Sequence, residues 1–94
     1  MAIEVTKRVQ AAPDVLLSNV GGEAVLLNLN SERYFGLDEV GTRMWTVLTS
    51  APSIQGAYHT LLAEYDVDRE TLQQDLQDLV EKLVEHGLVA VDNP

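Results

Sequence analysis

A chain of 94 residues makes one domain, and at this length only about 60–65% of the unfolded surface is buried, so the core is thin. An apolar content of 46% is that of a globular protein, no apolar run approaches the ~20 residues of a membrane span, and MAIEVTKRVQ (1–10) lacks the apolar stretch of a secretory signal. Six Lys and Arg against fifteen Asp and Glu give a net charge of −9, the wrong sign for nucleic acid or an anionic membrane surface. The absence of cysteine removes disulfides, thiolate metal sites and cysteine nucleophiles, and fits a cytoplasmic location.

The first third reads as strands. DVLLSNV (14–20) and EAVLLNL (23–29) flank Gly21-Gly22, and such a pair between β-like runs signals a hairpin because both residues can take positive φ. In the second run Val25, Leu27 and Leu29 alternate with Ala24, Leu26 and Asn28, so both faces are largely apolar. That is the pattern of a central strand or one covered on both sides. Asn30-Ser31 supplies another turn, and ERYFG (32–36) makes a short third strand at the edge of a meander.

Helices follow. Asp38 is the predicted N-cap of the first, with Glu39 complementing the helix dipole. Val40, Met44, Trp45 and Leu48 share a face, Trp45 as a core anchor. Gly41 costs ~1 kcal/mol relative to Ala inside a helix, which points to a close backbone approach. Ala51-Pro52 ends this helix and Ser53 caps the next, whose apolar stripe is Ile54, Ala57, Tyr58, Leu61, Leu62 and Tyr65. Asp66-Val67-Asp68 is a break, with Asp68 capping a third helix over 69–86. There Leu72, Leu76, Leu79 and Leu83 form a narrow band, with Val80 and Val84 on one shoulder and Asp75 and Lys82 on the other. Gly87 is placed as a C-cap, and LVAV (88–91) as a last short strand. The expected fold is α+β and winged helix-turn-helix-like, a three-stranded antiparallel β-meander followed by three α-helices, in a single domain 1–94 ordered over about 14–91.

Chemistry is scarce. His59 and His86 lie on different helices and in no metal-ligand spacing, and DVD (66–68) lacks the further oxygens of a calcium loop. Gly21-Gly22 is no phosphate loop, and no serine sits in a nucleophile elbow. The expectation is a protein without catalytic residues, metal or cofactor. The DNA-reading use of a winged helix is disfavoured, because the third helix carries Glu70, Asp75, Asp78, Glu81 and Glu85 against Arg69 and Lys82.

LLNLNSERYFGLDEVGTRMWTVL (26–48), followed by DLQDLVEKLVEHGLV (75–89), resembles the PqqD-like family of RiPP precursor-recognition elements. The resemblance runs from about residue 15 to residue 91, through the aromatic pair, the glycine, the Trp-bearing helix and the terminal helix ending in Gly-Leu. A free-standing chain with Arg-Tyr-Phe-Gly looks most like the stand-alone leader-binding proteins of lasso-peptide clusters. The resemblance implies a peptide chaperone rather than an enzyme. It would bind the leader of a ribosomally made precursor and deliver it to a leader peptidase, after which a cyclase closes the ring. The leader would add as an antiparallel strand to the third predicted strand, with its side chains entering a groove against the third helix.

Carried over by position, the docking strand is Glu32, Arg33, Tyr34, Phe35, Gly36 and Leu37, and the groove wall is Leu72, Asp75, Leu76, Leu79, Val80 and Leu83. An edge strand has the unpaired backbone groups that strand addition uses. Arg33 and Phe35 share one face and Tyr34 the other, so one aromatic faces the groove; which one stays open. Leu76, Leu79 and Leu83 also read as core, and Asp75 also reads as a solvated acid. Two other readings stand beside this one: a winged-helix regulator of transcription, and an obligate small subunit of a peptide-modifying enzyme. The open edge also admits a homodimer in the absence of peptide.

Overall fold

The computed structural model describes residues 4–92. Its elements run β1 (Arg8–Ala11), β2 (Val15–Val20), β3 (Glu23–Asn28), β4 (Arg33–Gly36), α1 (Glu39–Ser50), α2 (Ile54–Glu64), α3 (Arg69–Glu85) and β5 (Val89–Asp92). β2, β3 and β4 form an antiparallel meander with β3 in the middle, as its two apolar faces require. The Gly21-Gly22 turn has φ of 62° and 85°, the left-handed region that a two-residue hairpin demands. In register, Leu16, Leu27 and Tyr34 lie side by side on one face, and Leu17, Leu26 and Phe35 on the other.

The three expected caps are in place. Asp38 Oδ1 accepts from Gly41 N–H at 2.7 Å, Ser53 Oγ from Gly56 N–H at 3.0 Å, and Asp68 Oδ2 from Thr71 N–H at 3.2 Å. Each contributes about 1 kcal/mol by satisfying a donor the helix leaves unpaired. Gly87 closes α3 with φ of 67°. At Gly41 the close approach is by side chains rather than backbone: a Cβ there would lie 3.2 Å from Asp38 Oδ1 and 3.3 Å from Leu37 Cδ2.

Two further features depart from the sequence reading. β1 was not expected. It pairs with β5 in a separate two-stranded sheet, joining the two ends of the chain, with only Val9 of its four residues fully buried. One inward side chain is too short a pattern to announce a strand, and its partner is remote. Just ahead of it, the carbonyls of Lys7 and Val5 accept from the N–H groups of Ile54 and Gln55, each at 2.8 Å, so the N-terminal segment satisfies the first turn of α2. The second departure is Val40, which is exposed. The buried arc of α1 is Met44, Trp45, Val47 and Leu48, and Val40 sits in the first turn outside it.

The core is centred on Leu26, Leu48, Leu61, Leu76, Leu83 and Leu88, with Trp45 packed into it. Thr42 fastens sheet to helix: its Oγ1 accepts from Ala24 N–H at 2.8 Å, at the start of β3. Arg43 joins α1 to α2 through a forked pair with Glu64 at 2.8 and 2.6 Å. The hydrogen bond from Arg43 holds the Glu64 carboxyl below its usual range. Both groups are exposed, so water screens the pair and it adds little stability. Among the described residues, no helix is long and apolar enough to cross a membrane.

Candidate peptide-docking site

β4 is an edge of the meander, and among the described residues no strand pairs with its outer side. Leu37 N–H donates to Ala24 O at 2.8 Å. Antiparallel alternation then turns the backbone groups of Phe35 toward β3 and those of Tyr34 and Gly36 outward. The free ladder is therefore the N–H and C=O of Tyr34 and Gly36. Gly36 has nothing within 4 Å of where a Cβ would stand, which leaves room for an approaching backbone.

The two aromatics are now assigned. Phe35 is half-buried and faces the end of α3, its ring edge-on to His86 with centroids 5.0 Å apart. Tyr34 is 71% exposed and points to the opposite face, beside Leu16 and Leu27. Phe35 thus belongs to the α3 side of the docking edge, and Tyr34 to an uncovered apolar sheet face. Arg33 is exposed and shares the Phe35 face.

Glu32, expected in the docking strand, lies in the preceding turn. Its φ is 59° and its N–H donates to Asn28 O at 2.7 Å, so it closes the β3–β4 loop. Leu37, the expected last docking residue, is buried beneath the strand end.

The α3 wall is narrower than expected. Leu72, Leu76, Val80 and Leu83 are buried in the core at 0–3% exposure, so their side chains are not a groove surface. The reason is that α3 packs on α2 and β5, which draws the buried arc toward Leu76 and Val80. Leu79 is left half-buried on the shoulder and Asp75 is exposed. Asp75, Leu79, Lys82 and His86 follow one another at helical spacing and line the arc of α3 that ends at Phe35. Lys82 and His86 were not among the expected site residues. Their phase relative to Asp75 and Leu79 was the available signal.

His86 caps α3, and its Nδ1–H donates to the Lys82 carbonyl at 2.8 Å. A carbonyl only accepts, so in the neutral ring the proton is on Nδ1 and Nε2 is an acceptor. The site therefore offers a backbone ladder, the Phe35 ring, the Leu79 side chain, the Asp75 carboxylate, the Lys82 ammonium and an imidazole nitrogen. These suit recognition of an extended segment. Among the described residues no group of three or more His, Cys, Asp or Glu side chains is placed to hold a metal ion. A small cavity of about 130 Å³ lies away from this edge, between Val5, Ile54, Tyr58, His59 and Gln73.

Comparison with known proteins identifies the family and the fold. Residues 23–89 match the family described as Coenzyme PQQ synthesis protein D (PqqD). A solved structure, "TbiB1 in Complex with the TbiA(beta) Leader Peptide", is 35% identical, with a TM-score of 0.79 over 85% of this chain and 93% of that one. A second, "Lasso peptide synthetase B1 complexed with the leader peptide", is 24% identical, with a TM-score of 0.79 over 88% and 98%, and shows the same fold. No curated protein matches the chain. With the family match spanning β3 through the first residue of β5, the chain belongs to the PqqD family.

Proposed function

We propose that this chain binds the leader segment of a ribosomally synthesised precursor peptide and delivers it to a leader peptidase in lasso-peptide maturation, a separate cyclase closing the ring. The leader adds as a strand to β4 and lays alternate side chains between Phe35 and the α3 arc of Asp75, Leu79, Lys82 and His86. The observation that carries this reading is the open β4 edge, with the backbone groups of Tyr34 and Gly36 turned outward beside that arc. The 35%-identical relative, whose structure holds a leader peptide, supports it.

The chain acts as one recognition domain in the cytoplasm, without catalytic residues or a cofactor of its own. A protein partner such as the peptidase is supported by the sheet face on which exposed Leu16 and Tyr34 flank half-buried Leu27, an apolar surface the chain leaves in water. The acidic outer surface of α3 speaks against DNA as the ligand.

The test is fluorescence anisotropy with a labelled leader peptide of the precursor encoded beside this protein. Saturable binding, abolished by scrambling the peptide, is expected. Absence of binding to the isolated, folded chain would count against the proposal. Asp75→Ala is expected to keep the wild-type melting temperature, since the side chain is exposed, and to weaken binding roughly 3–10-fold through the loss of one exposed polar contact. Unchanged affinity would remove Asp75 from the site.

A further inference from the structure

Asn28 is the one polar side chain buried with the core among the described residues, at 8% exposure. It ends β3, and all of its hydrogen-bonding capacity is used. Its Nδ2 donates to the carbonyls of His86 at 3.1 Å and Gly87 at 3.3 Å. Its Oδ1 accepts from the N–H groups of Asn30 at 2.9 Å and Ser31 at 3.3 Å. An amide has two donor hydrogens and two acceptor lone pairs, and here two carbonyls face the one and two N–H groups face the other. The acceptor half builds the turn that leads into β4. The donor half grips the carbonyl of His86, the C-cap that α3 leaves unpaired, and that of Gly87 just beyond it. The fit is close: a Cβ on Gly87 would stand 3.0 Å from Nδ2.

These bonds join the two walls of the docking edge. β4 begins directly after the turn that Oδ1 shapes, and His86, whose backbone Nδ2 holds, presents its ring to Phe35. We propose that Asn28 is a positioning residue for the docking channel: its side-chain amide sets the spacing of β4 from the end of α3, and so the width of the seat an added strand must enter. The inference rests on the leader-binding reading above and specifies what holds that site in shape.

Asn28→Asp separates the two halves of the amide. A carboxylate still accepts from Asn30 and Ser31, so the turn is kept. It cannot donate to His86 and Gly87, and it sets a negative charge against their carbonyls. Protonation restores one donor. The charged and titratable groups around the position are Arg33 across the strand pair, Glu32 in the turn, His86 at the end of α3, and Asp14, whose carboxylate accepts from Asn30 Nδ2 at 2.8 Å. All are present in both proteins, so the ratio of variant to wild-type affinity reports residue 28 together with its coupling to these groups.

The experiment measures that ratio with the labelled leader peptide between about pH 5 and pH 8, a window that spans the titration of a buried carboxyl. A purely structural role would alter stability without a pH-dependent ratio in the folded protein. Near pH 8 the variant is expected to bind about tenfold or more weakly, as fits the loss of buried donors. The ratio should recover as the pH falls. A flat ratio near one, with the wild type binding, overturns the inference alone. Absence of binding by the wild type overturns the leader-binding reading and the inference with it. If the variant does not fold, the wild type decides. Its Asn28 side-chain amide protons should exchange slowly and shift on leader saturation, and unshifted resonances would overturn the proposal.

Discussion

A Tyr34→Pro protein is expected to fold as the wild type does and to lose leader binding by at least about tenfold, because proline removes an outward donor and fills the space a docking strand must occupy. The side of the strand decides this. Leu37 N–H points to β3, so Tyr34 N–H points away from it, and no bond of the β3–β4 ladder is lost. Edge positions tolerate proline for this reason. Far-ultraviolet circular dichroism and thermal melting should match the wild type while anisotropy of the labelled leader stays low. Phe35→Pro is the control. It removes a donor that β3 uses, and should unfold the edge as well. A Tyr34→Pro protein that binds normally would mean that the peptide docks somewhere other than the β4 edge.

Leu83→Ala is expected to act through stability alone. The side chain is fully buried, in line with its reading as core, although the family resemblance also put it on the groove wall. A cavity left by such a truncation costs about 2–5 kcal/mol, a large part of the roughly 5–15 kcal/mol that holds a domain folded. For a chain of this size the melting temperature should fall by roughly 10–30 °C. At a temperature where the variant is still folded, its leader affinity should remain near wild type. Weakened binding with an unchanged melting temperature would instead put Leu83 in contact with the peptide. Leu79→Ala is the informative partner. Half-buried on the α3 shoulder, it should lose less stability and more affinity.

The contrast between Leu83 and Leu79 marks where local pattern ends. Helical spacing put both leucines, with Leu72 and Leu76, in one band, and put Val80 on its shoulder. That spacing gives phase around the helix but not the direction of its neighbours. Packing against α2 and β5 drew Leu76 and Val80 inward and left Leu79 at the margin. The same limit applied to Tyr34 and Phe35. Alternation said that they face apart, and only the position of α3 said which one meets it.

What the sequence determined by itself is everything set by neighbours a few residues apart. The Gly21-Gly22 turn follows from backbone freedom, the caps at Asp38, Ser53 and Asp68 from unpaired helix donors, and the three helices from their apolar periods. The family resemblance rested on residues within those elements, the aromatic pair and glycine of 34–36, Trp45 and the terminal Gly-Leu, and the match over residues 23–89 bears it out. What only the tertiary structure decided rests on residues distant in the chain. β1 joins β5, Asn28 holds the end of α3, and His86 reaches Phe35. Each is a pairing of groups whose local sequence carries no sign of the partner, because hydrogen-bonding and aromatic side chains are satisfied by whatever the folded chain brings to them.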